Sequence, residues 1–452
     1  MSNTIKSFSI HGLFGYRNVI LNFDDPYKII VGENGLGKTT IINCLYYTLS
    51  KKFDELGKIK FAKIELVIGD EIISFTHFQV DCFIQRNSDF HPSSFYRLLE
   101  SKLQITDLKK LTSLFSANTV PSDVVRQVLD IVRKRGISAN ASDDYIFRNV
   151  HRVVLDYVAM QFSQHIEQLD HLIDFEILYF PTYRRVESSF NTVSSALTEL
   201  HNDYPFYDED DLKRIYHSEL IKFGMEDVKE SISKLTSQIS EQTREGFQHV
   251  LGDMLSALAK KETSKVDKTK FNEEKIDIIL SRLGNAINDD DKKRILDYAI
   301  SKDRQESKYL DFLISRLIDL YEDHREQDDM IKHFVARCNN YLFDKRFVYN
   351  ESKIDLFLQS AHFNERLDLD CLSSGEKQIV SLFSKIYLEI KTPFYILFDE
   401  PELSLSIRWQ KRLLPDIVSS GRCVSMFVAT HSPFIFENEM RSFTVALSDS
   451  IE

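Results

Sequence analysis

The stretch GENGLGKT, residues 32–39, decides the fold of this chain. Its glycines and its Lys-Thr pair have the spacing of a phosphate-binding loop. The residues before it, Tyr27 to Val31, predict a short buried strand, and apolar side chains recur at helical spacing from Ile42 to Leu49. A strand, a glycine-rich loop and the positive end of a helix together form a site for phosphate.

Two residues of this loop have specific chemistry. The Lys38 ammonium is expected to reach the β- and γ-phosphates of a nucleotide, and the Thr39 hydroxyl to ligate Mg²⁺. The predicted phosphate-binding residues are Gly32, Glu33, Asn34, Gly35, Leu36, Gly37, Lys38, Thr39 and Thr40.

A second stretch, FYILFDEPELSLS, ends five apolar residues in two acids. Alone, Asp399 and Glu400 would be read as the start of a turn. With the phosphate loop present, we expect Asp399 to hold Mg²⁺ through water and Glu400 to polarise the attacking water. The next strand ends in FVATHSPFI. A lone histidine there is more often structural, but only one helix separates the two strands, so His431 is predicted to contact the γ-phosphate.

A third stretch, LSSGEKQ, residues 372–378, is named the signature segment. Serines and a glycine at a helix start form a second phosphate-binding end, although one nucleotide needs a single phosphate loop. Ser373, Ser374 and Gly375 are therefore predicted to complete the site of a second copy. Glu376 also stands at the capping-box position of Ser373, so an ordinary helix cap is the alternative, and the two interpretations are compatible.

Strands and helices alternate at both ends of the chain around a helical middle. This pattern predicts an α/β fold, a mixed sheet with flanking helices, split by large helical insertions. The middle reads as helices packed in antiparallel hairpins, with KKETSKVDKTK and NDDDKK as solvated turns. The predicted ranges are an N-terminal lobe at 1–85, a helical insertion at 86–170, a return strand and loop at 171–187, helical hairpins at 188–345 that offer an interface, and a C-terminal lobe at 346–452.

The composition is that of a globular protein with a net charge of −12. An acidic chain is not a general nucleic-acid binder, although a local basic surface could still bind DNA. Its five cysteines are scattered, which is typical of reduced thiols in a cytoplasmic protein. No membrane partner is expected, because no apolar run reaches the ~18 residues of a membrane-spanning helix.

The four motifs, in this order and divided by a helical insertion, resemble those of ABC-type ATPases of the SMC, RecF and OLD group. The resemblance implies a P-loop ATPase head, ATP and Mg²⁺ as cofactors, and head-to-head dimers that hold ATP between them. It implies Lys38 and Thr39 for phosphate and metal, Asp399 for Mg²⁺, Glu400 and His431 as catalytic residues, and Ser373, Ser374, Gly375 and Glu376 as a signature acting in trans.

Two positions depart from the pattern of that group. The glutamine of its connecting loop matches Gln79 by residue type, whereas Arg184 and Arg185 match it better by position, so both assignments stay open. Ser406 stands where the group often has a histidine after the acidic strand, which puts a contact in trans there in doubt.

Within the group, the motifs look most like those of the ATPase subunits of Septu-type anti-phage systems, and next the PARIS ATPase. That resemblance implies a regulator of a separate effector, an HNH nuclease in a Septu-like system, with DNA reached through the complex. Few residues follow His431, so no TOPRIM nuclease is expected in the chain itself. The alternative is a DNA-repair or DNA-clamping ATPase like RecF. A non-hydrolysing nucleotide switch is disfavoured, because such a switch would not need Glu400.

Overall fold

The computed structural model describes residues 4–33, 35–86, 92–116, 121–137, 142–181, 225–261, 266, 271–284, 287–301, 307–390 and 392–451. Its strands are β1 Ile5–Leu13, β2 Arg17–Asn22, β3 Tyr27–Val31, β4 Lys63–Ile68, β5 Glu71–Thr76, β6 Glu176–Phe180, β7 Lys345–Asn350, β8 Asp355–Ser360, β9 Arg366–Leu367, β10 Phe394–Asp399, β11 Cys423–Thr430 and β12 Thr444–Ala446.

The α-helices of the described residues follow the same order. They are α1 Lys38–Leu49, α2 Phe53–Leu56, α3 His77–Arg86, α4 Ser94–Lys102, α5 Ile105–Ser116, α6 Pro121–Lys134, α7 Asp143–Leu172, α8 Met225–Lys260, α9 Glu273–Arg282, α10 Asp289–Ile300, α11 Lys308–Asn339, α12 Ser374–Ser384 and α13 Ile407–Val418. Among them no helix is both long and apolar enough to cross a bilayer.

A five-stranded parallel sheet carries the motifs. Its order is β12-β3-β11-β10-β6, so β11 lies between β3 and β10. The carboxyl ends of parallel strands meet at one edge of a sheet, where ligands of α/β folds bind. This order therefore brings the phosphate loop after β3, His431 after β11 and Asp399 at the end of β10 to neighbouring positions.

Alternating side chains of the parallel sheet enter two cores. Tyr395, Leu397 and Phe427 pack with α1 and with the antiparallel sheet β2-β1-β4-β5. Ile396 and Val428 point to the other face and pack with residues of α8, α11, α12 and α13. The predicted α/β fold, with a mixed set of strands and flanking helices, is confirmed.

The helical middle contains the antiparallel pair that the sequence predicted. Gln327 Nε2 of α11 donates to Gln242 Oε1 of α8 at 3.0 Å, and Arg316 lies 3.4 Å from Asp253. The residue numbers fall along one helix as they rise along the other, so α8 and α11 run in opposite directions. The described part of the middle adds α9 and α10, which pack on α11 around Ile279 and Leu317.

Two local predictions are wrong. The apolar pattern of EIISFTHF, residues 71–78, predicts a strand throughout, but β5 ends at Thr76 and α3 begins at His77. Thr76 and Gln79 form reciprocal bonds at that start, Gln79 N to Thr76 Oγ1 at 3.4 Å and Thr76 N to Gln79 Oε1 at 2.8 Å, which is a capping box. NDDDKK is likewise not a turn, because Asn288 caps α10 and its acids form the first helical turn.

Candidate active site

The phosphate loop joins β3 to α1 through left-handed glycines. Gly35 has φ 85° and Gly37, the residue before α1, has φ 86°, a region that glycine enters at little cost. Phe14, in the turn between β1 and β2, and Arg17, the first residue of β2, contact this loop. A Cβ at Gly37 would lie 3.2 Å from the Phe14 ring, and Arg17 donates to the Leu36 carbonyl at 2.7 Å. Asn34 lies outside the described residues.

Lys38 is the first residue of α1, and its side chain folds back on the loop. The residue is 5% exposed, and Nζ donates to the carbonyls of Gly32 at 2.8 Å and Glu33 at 3.0 Å. Burial lowers the pKa of the Lys38 ammonium, and nearby Glu400, Asp399 and Glu402 offset part of that effect. The ammonium is thus bonded to the carbonyls of the loop that is expected to hold phosphate.

His431 lies between this ammonium and the acidic strand end. Its Nε2 is 2.6 Å from Lys38 Nζ and 3.4 Å from Glu400 Oε1. An ammonium can only donate, so Nε2 accepts and the ring proton is on Nδ1. A cation, an imidazole and a carboxylate therefore converge at the edge of the parallel sheet, from residues as far as 393 positions apart.

The two acids at the end of β10 have different surroundings. Asp399 is 1% exposed and still belongs to the strand. Glu400 has φ 54°, in the left-handed region, and its N–H donates to the Ala429 carbonyl of β11 at 2.8 Å. This unusual backbone brings the Glu400 carboxylate toward His431, and such strain in a non-glycine residue is typical of functional sites.

The residues proposed for Mg²⁺ have suitable donor chemistry. Thr39 and Thr40 form the first turn of α1, and both are half-buried. Within the described ranges no group of three or more histidines, cysteines or acids is arranged as a metal cage. Magnesium at nucleotide sites takes one or two carboxylates together with phosphate oxygens and water, so Thr39 and Asp399 fit that ion.

The signature segment begins α12 with a complete capping box. Glu376 N donates to Ser373 Oγ at 3.4 Å, and Ser373 N donates to Glu376 Oε2 at 2.7 Å. The helix-cap interpretation is confirmed. Ser373 and Ser374 are exposed, whereas Gly375 is buried, and a Cβ there would lie 2.4 Å from the Ser404 carbonyl oxygen. The glycine is therefore required by a close approach of residues 401–405, named the PELSL loop.

The remaining predicted positions are the candidates for the glutamine of the connecting loop, and Ser406. The amide oxygen of Gln79 is bonded to Thr76 at the start of α3, as described above. Arg184 and Arg185 lie outside the described residues. Ser406 caps α13 by accepting from Trp409 N at 3.4 Å and is exposed.

Glu402 and Gln410 belong to this site, although sequence reasoning did not include them. Glu402 Oε1 accepts from His431 N at 2.7 Å and Ser432 N at 3.1 Å, and Gln410 Oε1 accepts from Ser432 Oγ at 2.6 Å. Glu402, the third acid of DEPE, was visible in the sequence, but its partners are main-chain groups about 30 residues away, which no local pattern indicates.

Comparisons with known proteins give one family and a set of solved structures. A family model described as AAA ATPase domain matches residues 4–436. No curated protein matches the chain. An SMC head bound to the C-winged helix domain of ScpA is similar at 12% identity and TM-score 0.31, over 96% of this chain and 90% of that one.

A Pyrococcus furiosus Smc head with an extended coiled coil, bound to the C-terminal domain of ScpA, is similar at 13% identity and TM-score 0.34. The match covers 99% of this chain and 94% of that one. At such scores neither likeness supports a conclusion about the activity or partners of this chain.

Proposed function

This chain belongs to the AAA ATPase domain family, and from that premise we propose that it is the ATPase subunit of a bacterial anti-phage complex. ATP hydrolysis is the activity that the family supports. The finer proposal is that two copies hold ATP between them and control a separate nuclease of the HNH type. The motif order supports the group, and the resemblance to Septu-type subunits supports the biological role.

The convergence of Lys38, His431 and Glu400 is the observation that carries the proposed chemistry. Lys38 would exchange its bonds to the loop carbonyls for bonds to phosphate oxygens, which frees the loop to close around the nucleotide. Thr39 and Asp399 would hold Mg²⁺, which supplies charge neutralisation at the phosphates. Glu400 would accept the proton of the attacking water, and His431 would contact the γ-phosphate.

The exposed serines of the signature segment support a site shared by two copies. The N–H groups at a helix start lack intrahelical partners and attract anions. The phosphate loop already supplies one such helix end for the nucleotide of each copy. The Ser373 and Ser374 side chains, together with the start of α12, would therefore face the γ-phosphate held by the other copy.

The helical middle is proposed as the surface for the effector. It lies outside the parallel sheet, and α8 exposes Leu251, Leu255 and Leu258, which share one helix face by their spacing. Such a stripe is suited to a helix or groove of another protein. A change of angle between the two ATP-bound copies would change the grip of this surface on the nuclease.

The test combines ATP turnover with DNA cleavage by the purified chain. Lys38→Ala should abolish ATP binding, and Glu400→Gln should bind ATP but hydrolyse it ~10²–10⁴-fold more slowly, because the base is lost. Glu437→Gln, an exposed glutamate, is the control and should hydrolyse ATP at the wild-type rate. None of these proteins should cleave plasmid DNA alone, and cleavage should require the product of a neighbouring gene.

Wild-type turnover by Glu400→Gln would sink the proposed role of that residue. Plasmid cleavage by the isolated chain that survives Lys38→Ala would contradict an effector acting in trans. Tight DNA binding by the chain alone that weakens steeply with salt would instead favour the RecF-like alternative.

A further inference from the structure

Glu402 holds the main chain of the histidine that stands in the centre of the site. One carboxylate oxygen, Oε1, accepts from two successive N–H groups, those of His431 at 2.7 Å and Ser432 at 3.1 Å. Bonds to an ionised acceptor are stronger than bonds between neutral groups. The peptide that carries the imidazole is therefore fixed by a charge from the PELSL loop.

Gln410 of α13 provides a second link between the segment after β11 and the PELSL loop. Its Oε1 accepts from the Ser432 hydroxyl at 2.6 Å, while its Nε2 donates to the Leu405 carbonyl at 2.9 Å. The side chain is 9% exposed. The segment after β11 is thus tied to the PELSL loop through two neighbouring side chains, which restricts how His431 can move relative to Glu400.

The second carboxylate oxygen of Glu402 argues against a purely structural role for this residue. Oε2 is buried and, among the described residues, finds no hydrogen-bond partner. A buried acceptor without a partner is unfavourable for stability, and a catalytic role is one recognised reason for keeping it. A neutral glutamine could bond the same N–H groups, so the carboxylate calls for a reason connected with charge. Lys38 is close enough for Glu402 to act on its ammonium.

We propose that Glu402 is a positioning residue for ATP hydrolysis, which holds the His431 peptide so that the imidazole stays between Lys38 and Glu400. The inference rests on the proposed role of His431 at the γ-phosphate. It assigns to Glu402, the third acid of the DEPE stretch, a role distinct from that of Glu400, because Glu402 acts through His431 and does not touch the water. Loss of Glu402 would slow the chemical step and leave ATP binding in place.

The experiment measures kcat, KM and equilibrium ATP binding for the full chain and four variants, Glu402→Ala, Glu402→Gln, His431→Ala and the double variant Glu402→Ala/His431→Ala. Glu402→Ala should lower kcat ~10²-fold with KM nearly unchanged, since a misplaced catalytic group costs about that much. Glu402→Gln should be only about tenfold slower, because its amide oxygen still accepts from both N–H groups without the charge. The double variant should be no slower than His431→Ala alone.

The exposed Glu439→Ala is the matched control and should keep wild-type kinetics. A wild-type kcat for Glu402→Ala beside an impaired His431→Ala would overturn the inference and leave the proposed function intact. So would a raised KM with unchanged kcat, or a double variant much slower than either single one. If the alanine variant does not fold, a wild-type rate for Glu402→Gln decides against the inference. A wild-type rate for His431→Ala would instead remove the proposed role of His431.

Discussion

At the scale of single residues, Glu376 joins the start of α12 to the small antiparallel sheet β7-β8-β9. Its carboxylate accepts from Ser373 N at 2.7 Å and from Lys345 Nζ, on β7, at 2.9 Å, and the residue is buried. Burial alone would raise the pKa of Glu376, but the bonds from Ser373 and Lys345 outweigh it and hold that pKa below the usual range of a glutamate. The ionised form is therefore favoured by folding.

This pKa shift predicts a pH-dependent stability. A carboxyl group whose folded pKa is depressed contributes stability above its unfolded pKa, and that contribution is lost as pH falls through the folded pKa. Glu376→Gln should lower the free energy of unfolding by about 1 kcal/mol at about pH 7, and the deficit should shrink toward zero as the pH falls below about 4. Urea denaturation of both proteins across this range measures the difference.

Lys345→Met removes the cation and should remove much of the same pH dependence. The exposed Glu437→Gln should change neither the stability nor its slope with pH. A deficit for Glu376→Gln that stays constant from neutral to acid pH would mean that the carboxylate charge contributes nothing to the cap.

The residues of the site differ in how far the sequence reveals them. The phosphate loop is local, so Lys38 and its glycines could be predicted from eight consecutive letters. Glu402 could not be assigned a role, because its partners follow a different strand and are main-chain N–H groups, which do not depend on residue type. Gly375 was expected to let the backbone approach phosphate, whereas the structure gives it a second reason, the Ser404 carbonyl.

At the scale of secondary-structure elements, one buried ion pair joins the helical middle to the small sheet. Arg282 at the end of α9 donates from one nitrogen to both oxygens of Asp328 on α11, each at 2.8 Å, and both side chains are fully buried. The Tyr349 hydroxyl of β7 also bonds to Asp328. Three elements that are distant in sequence thus meet at one carboxylate.

Removing that carboxylate should be severe. Asp328→Ala leaves the buried Arg282 charge with only the more distant Glu351 carboxylate, at 3.9 Å, and breaking a buried pair typically costs about 3–5 kcal/mol. The neighbouring Asp329→Ala removes only a partly exposed pair with Arg325 at 3.6 Å and should cost under about 0.5 kcal/mol. Urea denaturation followed by circular dichroism compares the two variants.

A double variant separates the charge from the packing. Arg282→Met/Asp328→Leu should regain much of the stability lost in Asp328→Ala, because no buried charge is left unpaired. Equal denaturation midpoints for Asp328→Ala and wild type would show that this junction does not hold the helical middle in place.

Element types could be read from the sequence more surely than element ends. Short apolar runs predicted β3 and β10, and helical spacing predicted α1. The end of β5 was missed because Phe75, Phe78 and Val80 extend the apolar pattern across the capping box of Thr76 and Gln79. Short-range polar bonds thus overrode periodicity, and the same happened where Asn288 caps α10.

At the scale of the whole molecule, strand order determines which motifs meet. The sequence predicted the motifs and their order along the chain, but it could not give the order β12-β3-β11-β10-β6. That order rests on pairings between strands hundreds of residues apart, such as Ile29 with Val428. The sequence is limited in the same way for assembly. A site that two copies share would be visible in each chain only as exposed residues such as Ser374.

Complementation between two inactive chains tests the shared site. Lys38→Ala should disable the phosphate loop of its own copy, and Ser374→Arg should block the signature segment that, in the proposed dimer, faces the nucleotide of the other copy. Ser374 is preferred to Ser373 because it is exposed and is not the helix cap. In a mixed dimer, the intact loop of one chain meets the intact signature of the other, so equal mixing should restore about one quarter of the wild-type rate if the sites act independently.

The matched control mixes Lys38→Ala with Glu400→Gln. Both residues are proposed to serve the nucleotide of their own copy, so neither site of that mixed dimer would be complete and no ATP hydrolysis should return. Native mass spectrometry measures the fraction of mixed dimers in each sample. If Lys38→Ala and Ser374→Arg chains assemble but stay inactive, the signature segment acts within its own copy or only caps α12. Recovery in that mixture alone requires a nucleotide bound between a phosphate loop and a signature segment from different chains.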